Sequence, residues 1–200
     1  LVKRSALAKV SKLEEQERFM MAGEIICVAA HSRHAFSKTP AEQINLLKGL
    51  GVEGDAHCGV TVKHRSRVAA NPDQPNLRQV HLFAGEMLDE LAARGFSVQP
   101  ADLGENITTR GIDLIDLPLD TRLQIGESVH LEITGLRNPC KQIDNFQKGL
   151  MQAVLSHDEE GNLLLRAGVM AIVLEGGTVR IGDKISVDLP PLPHRKLERV

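Results

Sequence analysis

In the stretch GLRNPCKQID, residues 135 to 144, Cys140 follows a proline and stands between Arg137 and Lys141. A free cysteine is only a few per cent thiolate at neutral pH; nearby cations or a helix start raise that fraction. Asn138 suits an N-cap and Pro139 the first helical position, so the spacing predicts Cys140 in a first turn, where unpaired N–H groups favour an anion. A thiolate in that place can attack, carry sulfane sulfur or bind a soft metal. The competing reading is a small apolar residue that packs, as most cysteines do. The residues alone leave both open.

The remaining candidates carry less chemistry. Cys27 lies in the apolar run IICVAA, and Cys58, in DAHCGV, reads as a small residue of a tight loop. His57, His64 and His81 could supply zinc ligands, yet CxxC, HxxxH and HExxH are absent. Asp55, Glu86 and Glu105 stand beside or near glycines, where isolated carboxylates more often cap turns than catalyse. Lys63, His64, Arg65 and Arg67 could grip a phosphate, with a solvated loop as the alternative. The absence of GxxxxGK[ST], GxGxxG and GxSxG argues against an ordinary ATPase, dehydrogenase or α/β-hydrolase.

Short strands must position these groups. EIICVAA and GVMAIVL read as buried strands, RQVHLF as a short one, and SVHLEITGL alternates Val129, Leu131 and Ile133 with polar residues. FAGEMLDELAARGF predicts a helix through Phe83, Met87, Leu88 and Leu91, with Glu90 pairing to Arg94 and Gly95 as stop. AEQINLLKGL reads as a weak helix, and TVKHRSRVAANPDQPNLRQ as a long exposed loop. Ile143, Phe146, Leu150 and Val154 predict one helix after Cys140, weakened by Gly149. TVRIGDKISV reads as a hairpin turning at Gly182 and Asp183. Gly-rich turns without regular βα alternation point to a barrel or sandwich with inserted helices.

Composition narrows the function classes. A chain of 200 residues with 42% hydrophobic content supports one sizeable core. The net charge of -2 gives no global field for nucleic acid or an anionic membrane, and five Phe are the only aromatic side chains for base or sugar stacking. Three unpaired cysteines suit a reducing, cytoplasmic setting. No apolar run approaches the roughly 18 residues of a membrane span. Residues 1–23 read as an N-terminal extension or cloning remnant, 24–188 as the domain, and 189–200 as a Pro-rich basic tail, extended or disordered.

GVEGDAHCG, LGENITTRGIDL, LQIGESVHLEITGLRNPCKQID and RAGVMAIVLEGGTVRIGDKISV, in this order and spacing, resemble the MOSC domain. That module ends molybdenum cofactor sulfurases and also occurs as a stand-alone bacterial protein. The resemblance implies a mainly β, barrel-type fold with helical insertions, and a cysteine that carries a persulfide or ligates the molybdenum of the pterin cofactor. Cys140 matches that cysteine. Asp55 and His57 fall on the family's GDxH loop, Glu105 and Asn106 on its GEN triplet, and Arg137 on Arg-x-Pro-Cys. With Asn138, Lys141, Arg65 and Arg67, these residues are expected to hold the molybdenum cofactor. The family often has Arg-Gly-Gly where this chain has Arg166, Ala167 and Gly168. Bound PLP is not expected, since the chain has no room for the desulfurase domain of the fused sulfurases.

Three functions follow from the resemblance. One is a sulfur carrier supplied by a donor such as a cysteine desulfurase. Another is a molybdenum-dependent reductase of N-hydroxylated compounds, drawing on an external electron-transfer protein because no cysteine set for an iron–sulfur cluster is present. The last is a non-catalytic small-molecule binding module.

Overall fold

The computed structural model describes residues 22–200, and within them not the side chains of Ala22 and residues 65–67. The predicted extension therefore falls almost wholly outside the described residues, as do the side chains of Arg65 and Arg67. The chain runs β1 (Ala22–Ala30), β2 (Thr39–Ala41), β3 (Gln43–Leu47), β4 (Gly51–Val52), α1 (Arg65–Ala70), β5 (Val80–Ala84), α2 (Gly85–Ala93) and β6 (Ile107–Arg110). It continues with β7 (Arg122–Ile125), β8 (Val129–Leu136), α3 (Lys141–Phe146), α4 (Leu150–Ala153), β9 (Leu155–His157), β10 (Leu163–Leu165), β11 (Val169–Glu175), β12 (Gly177–Arg180) and β13 (Lys184–Asp188).

Seven strands close a barrel in the order β13, β7, β8, β11, β5, β6, β1 and back to β13. The fold is thus mainly β with few helices. Neighbouring strands are antiparallel except β5 and β6, which run parallel with α2 in the connection between them. β8 shows why sequence becomes barrel: Val129, Leu131 and Ile133 face inward and are fully buried, while the residues between them are half-exposed. They meet Ile25, Leu82, Ile107, Leu123, Val169 and Ile185 from the other staves in one apolar core. Each such side chain contributes about 1.5–3 kcal/mol by leaving water.

A second apolar cluster lies outside the barrel. Met87, Leu88 and Leu91 of α2 pack with Leu103, Ile143 of α3 and Leu150 of α4. This layer fixes the segment that follows Cys140.

Several expectations change. AEQINLLKGL contains the strand β3, because Ile44 and Leu46 are buried while Gln43 and Asn45 are exposed, a period of two. The turn at Gly182 and Asp183 forms, but no hairpin ladder follows. β12 pairs with β3, whereas β13 pairs with β1 and β7, so the two strands enter different sheets. Phe83 belongs to β5, and Glu90 pairs with Arg166 instead of Arg94. The single helix after Cys140 is two short ones, since Gly149 takes φ +84° between them. The long loop contains α1, and Thr61 bridges Pro75 at its base. Among the described residues, no helix is long and apolar enough to cross a membrane.

Candidate functional site

β8 delivers the site. Immediately after Leu136, the Arg137 backbone N–H donates to Gly168 O at 2.9 Å, which keeps the chain extended into Asn138, Pro139 and Cys140. Cys140 is consequently the N-cap of α3, at φ −138° and ψ 168°, one position before the predicted first turn. Its carbonyl accepts the Ile143 N–H at 3.0 Å, and its half-buried thiol lies 3.5 Å from Gln142 Oε1.

The thiol opens on a cleft of about 390 Å³. Arg137, Asn138, His57 and Asn106 line it, joined by Lys38, His64, Arg78, His81 and Met170. None of the described lining residues is a carboxylate. Lys141 is exposed on α3 and is not part of the lining.

Asp55 lies just beneath. Its Oδ1 accepts the His57 N–H at 2.9 Å and faces His57 Nδ1 at 3.2 Å; its Oδ2 accepts from His31 N at 3.1 Å, Asn106 Nδ2 at 3.2 Å and Lys38 Nζ. Burial alone would raise its pKa, but the hydrogen bond from His57 and the charge of Lys38 outweigh it and hold the carboxyl well below the usual range. Asp55 is thus a buried hub that orients His57 and Lys38. The His57 ring stands edge-on to His34 at 5.0 Å and stacks with His64 at 6.5 Å. Asn106 serves the scaffold as well, donating to Ala29 O and accepting the His81 N–H.

Glu105 is buried behind the cleft instead of lining it. Its Oε1 accepts from Ala101 N at 2.7 Å and Thr108 Oγ1 at 3.3 Å, its Oε2 has no partner, and burial pushes its carboxyl pKa up. Arg137 is only 8% exposed, and its Nη1 is buried without a hydrogen-bond partner. Burial pulls the guanidinium pKa down, while Cys140 and Glu105 push it back. His81 Nε2–H donates to Ala167 O at 2.9 Å, and burial together with the charge of Arg137 keeps the ring neutral far below the ordinary histidine range. The zinc reading of His57, His64 and His81 therefore falls: among the described residues no cluster of three or more His, Cys, Asp or Glu is arranged for a metal ion. Cys27 and Cys58 have raised thiol pKa values, chiefly from burial.

The Arg166-Ala167-Gly168 departure has a local explanation. Gly168 is the residue that needs to be small: at φ +96°, a Cβ there would lie 2.3 Å from Leu82 O. Ala167 fits fully buried beside it. Lys38 and Arg78 were not singled out from sequence, because the partners that place them lie 17 and 122 residues away.

A family model for the MOSC domain matches residues 55–186, more than half of the chain and including both the Asp55 loop and Cys140. The chain belongs to the MOSC domain family. The MOSC barrel is also the fold of the solved YuaD protein from Bacillus subtilis, which is 24% identical with a TM-score of 0.69, covering 86% of this chain and 98% of that one. YiiM from Geobacillus stearothermophilus matches at 14% identity and TM-score 0.59, over 87% of this chain and 79% of its own. YiiM from Escherichia coli matches at 18% and 0.55, over 86% and 73%. No curated protein matches this MOSC sequence.

A second cavity, of about 400 Å³, lies where α2 meets residues 111–116 and the β9–β10 pair. Glu86, Glu90, Asp113, Asp116 and Arg166 line it with apolar neighbours, and it holds neither cysteine nor histidine.

Proposed function

We propose that this MOSC protein binds the molybdenum cofactor and carries sulfane sulfur as a persulfide on Cys140. The carrying observation is one cleft in which a partly exposed thiol meets the buried, unpartnered Nη1 of Arg137 together with Lys38 and Arg78. An unpaired buried cation costs stability unless something negative completes it. A phosphate-bearing pterin fits that demand: Arg137, Arg78, Lys38 and His57 would hold its anionic part, and Cys140 offers a soft ligand. Bound there, the cofactor would supply redox chemistry or act as the acceptor of sulfur.

The chain's own residues perform the transfer. The Cys140 thiolate attacks the outer sulfur of a donor persulfide; a new S–S bond forms, the donor's S–S bond breaks, and the donor leaves as a thiolate. No external oxidant is required. Arg137 stabilises the thiolate before attack and the persulfide anion afterwards, and Asp55 keeps His57 turned toward the cleft. The donor, such as a cysteine desulfurase, and a cytoplasmic location belong to the same proposal; the three cysteines are unpaired, as a reducing compartment would keep them.

The deciding experiment is intact mass and elemental analysis of protein purified without reductant, beside Cys140→Ser. A reducible gain of one sulfur confined to the native protein is expected, and sulfane sulfur persisting in Cys140→Ser overturns the carrier. Molybdenum lost with Cys140 and no sulfane sulfur would make the protein a reductase fed by an external electron donor. Neither sulfur nor molybdenum would leave a binding module.

A further inference from the structure

The Pro-rich tail is extended and docked. Leu136 N donates to Glu198 O at 2.7 Å, Val200 N donates to Leu136 O at 3.3 Å, and Leu136 bridges Arg199 in parallel. Gly135 makes room for this: at φ +152°, a Cβ would come within 2.5 Å of Glu198 O. Further back, Leu119 N donates to Arg195 O, Arg195 pairs with Asp120, and Leu197 packs against the barrel core. The strand edge so covered leads directly into Arg137 and Cys140. From the other side, Arg78 Nη1 donates to Val200 O at 2.6 Å, and Arg78 also lines the cleft.

We propose that residues 195–200 form a strap that positions Arg78 and Arg137 around the Cys140 cleft and thereby sets its attraction for anions. Glu198 and Val200 hold the backbone just before Arg137, and the Val200 carbonyl fixes Arg78. A cleft walled by protein focuses such charges, so small displacements of two guanidinium groups change the local anion concentration strongly. The strap rests on the reading of the cleft as an anion site, and on neither sulfur transfer nor molybdenum.

The test compares alkylation of Cys140 by iodoacetate, an anion, and by iodoacetamide, which is neutral, each followed by peptide mass mapping. In both reactions the thiolate attacks carbon, a C–S bond forms, and iodide leaves. Native protein should prefer iodoacetate more than a free cysteine peptide does. Truncation after Leu197 should reduce that preference roughly tenfold, read as the ratio of the two rates so that any change in thiolate fraction cancels. Arg78→Gln should do the same, and the two changes together should add little. A preference untouched by truncation overturns the strap, as does faster reaction with both reagents, which would mean general loosening. A native preference no greater than the free peptide's would remove the anion site itself, whereas absence of persulfide would leave this comparison intact.

Discussion

The two cavities are nearly equal in volume, and both touch β5, yet they are opposite in chemistry. In the acidic one, Arg166 already forms a two-point ion pair with Glu90 at 2.6 Å for each contact, so its only described cation is neutralised internally. In the cationic one, Lys38 is matched by Asp55 from below, but Arg137 keeps an orphan N–H group beside a thiol. Size therefore does not identify the site. What separates the two cavities is a buried guanidinium nitrogen without a hydrogen-bond partner, lining the same cleft as a thiol.

The largest break in that contrast comes from the hub. Asp55→Ala leaves the Lys38 ammonium buried without its carboxylate and should lower stability by about 3 kcal/mol in urea denaturation. An unchanged midpoint would show that Lys38 simply swings into water. Next, Arg137→Met should weaken binding of inorganic phosphate about tenfold, by calorimetry, while leaving stability within about 1 kcal/mol, since a buried cation is exchanged for an apolar side chain. Arg166→Met in the acidic cavity should leave phosphate affinity unaltered; a matching loss there would erase the distinction between the cavities.

Smaller effects sharpen it. His81 stays neutral in the fold far below the ordinary histidine range, whereas in the unfolded chain it gains a proton as pH falls through about 6.5. Its depressed pKa means that its contribution is complete above that pH and is lost as pH falls. His81→Gln should therefore flatten the loss of stability between pH 6.5 and 5.5 by roughly 1 kcal/mol; an identical slope would show that His81 does not shape it. Smallest is Glu90→Gln, which should cost about 0.5 kcal/mol, because its ion pair with Arg166 is partly exposed and screened.

What the sequence disclosed was local. The alternation of Val129, Leu131 and Ile133 marked β8, and the spacing of Met87, Leu88 and Leu91 marked α2, because each pattern completes itself within one element. The strand in QINLL carried the same alternation, but helix-favouring residues around it masked a period of two over five positions. β12 and β13 misled for another reason: the turn between them is real, but only partners remote in sequence, β3 and β1, decide which sheets they join. The ordered motifs brought Cys140, Arg137, Asn138, His57 and Asn106 to one cleft with Asp55 beneath it. Glu105 carried a motif signal and Lys141 a charge beside Cys140, yet both lie off the lining, since spacing does not distinguish a side chain turned inward from one turned out.

The seam between β1 and β13 sets the order in which the molecule can assemble. Lys184 reaches Glu24 across 160 residues of chain, beside the ladder that closes the barrel. A pairing so distant must wait for a large loop to close, and topologies of this kind fold slowly. During synthesis the first strand emerges long before its partner, and residues 195–200 follow later still. The thiol of Cys140 is then made before the barrel that shelters it is shut.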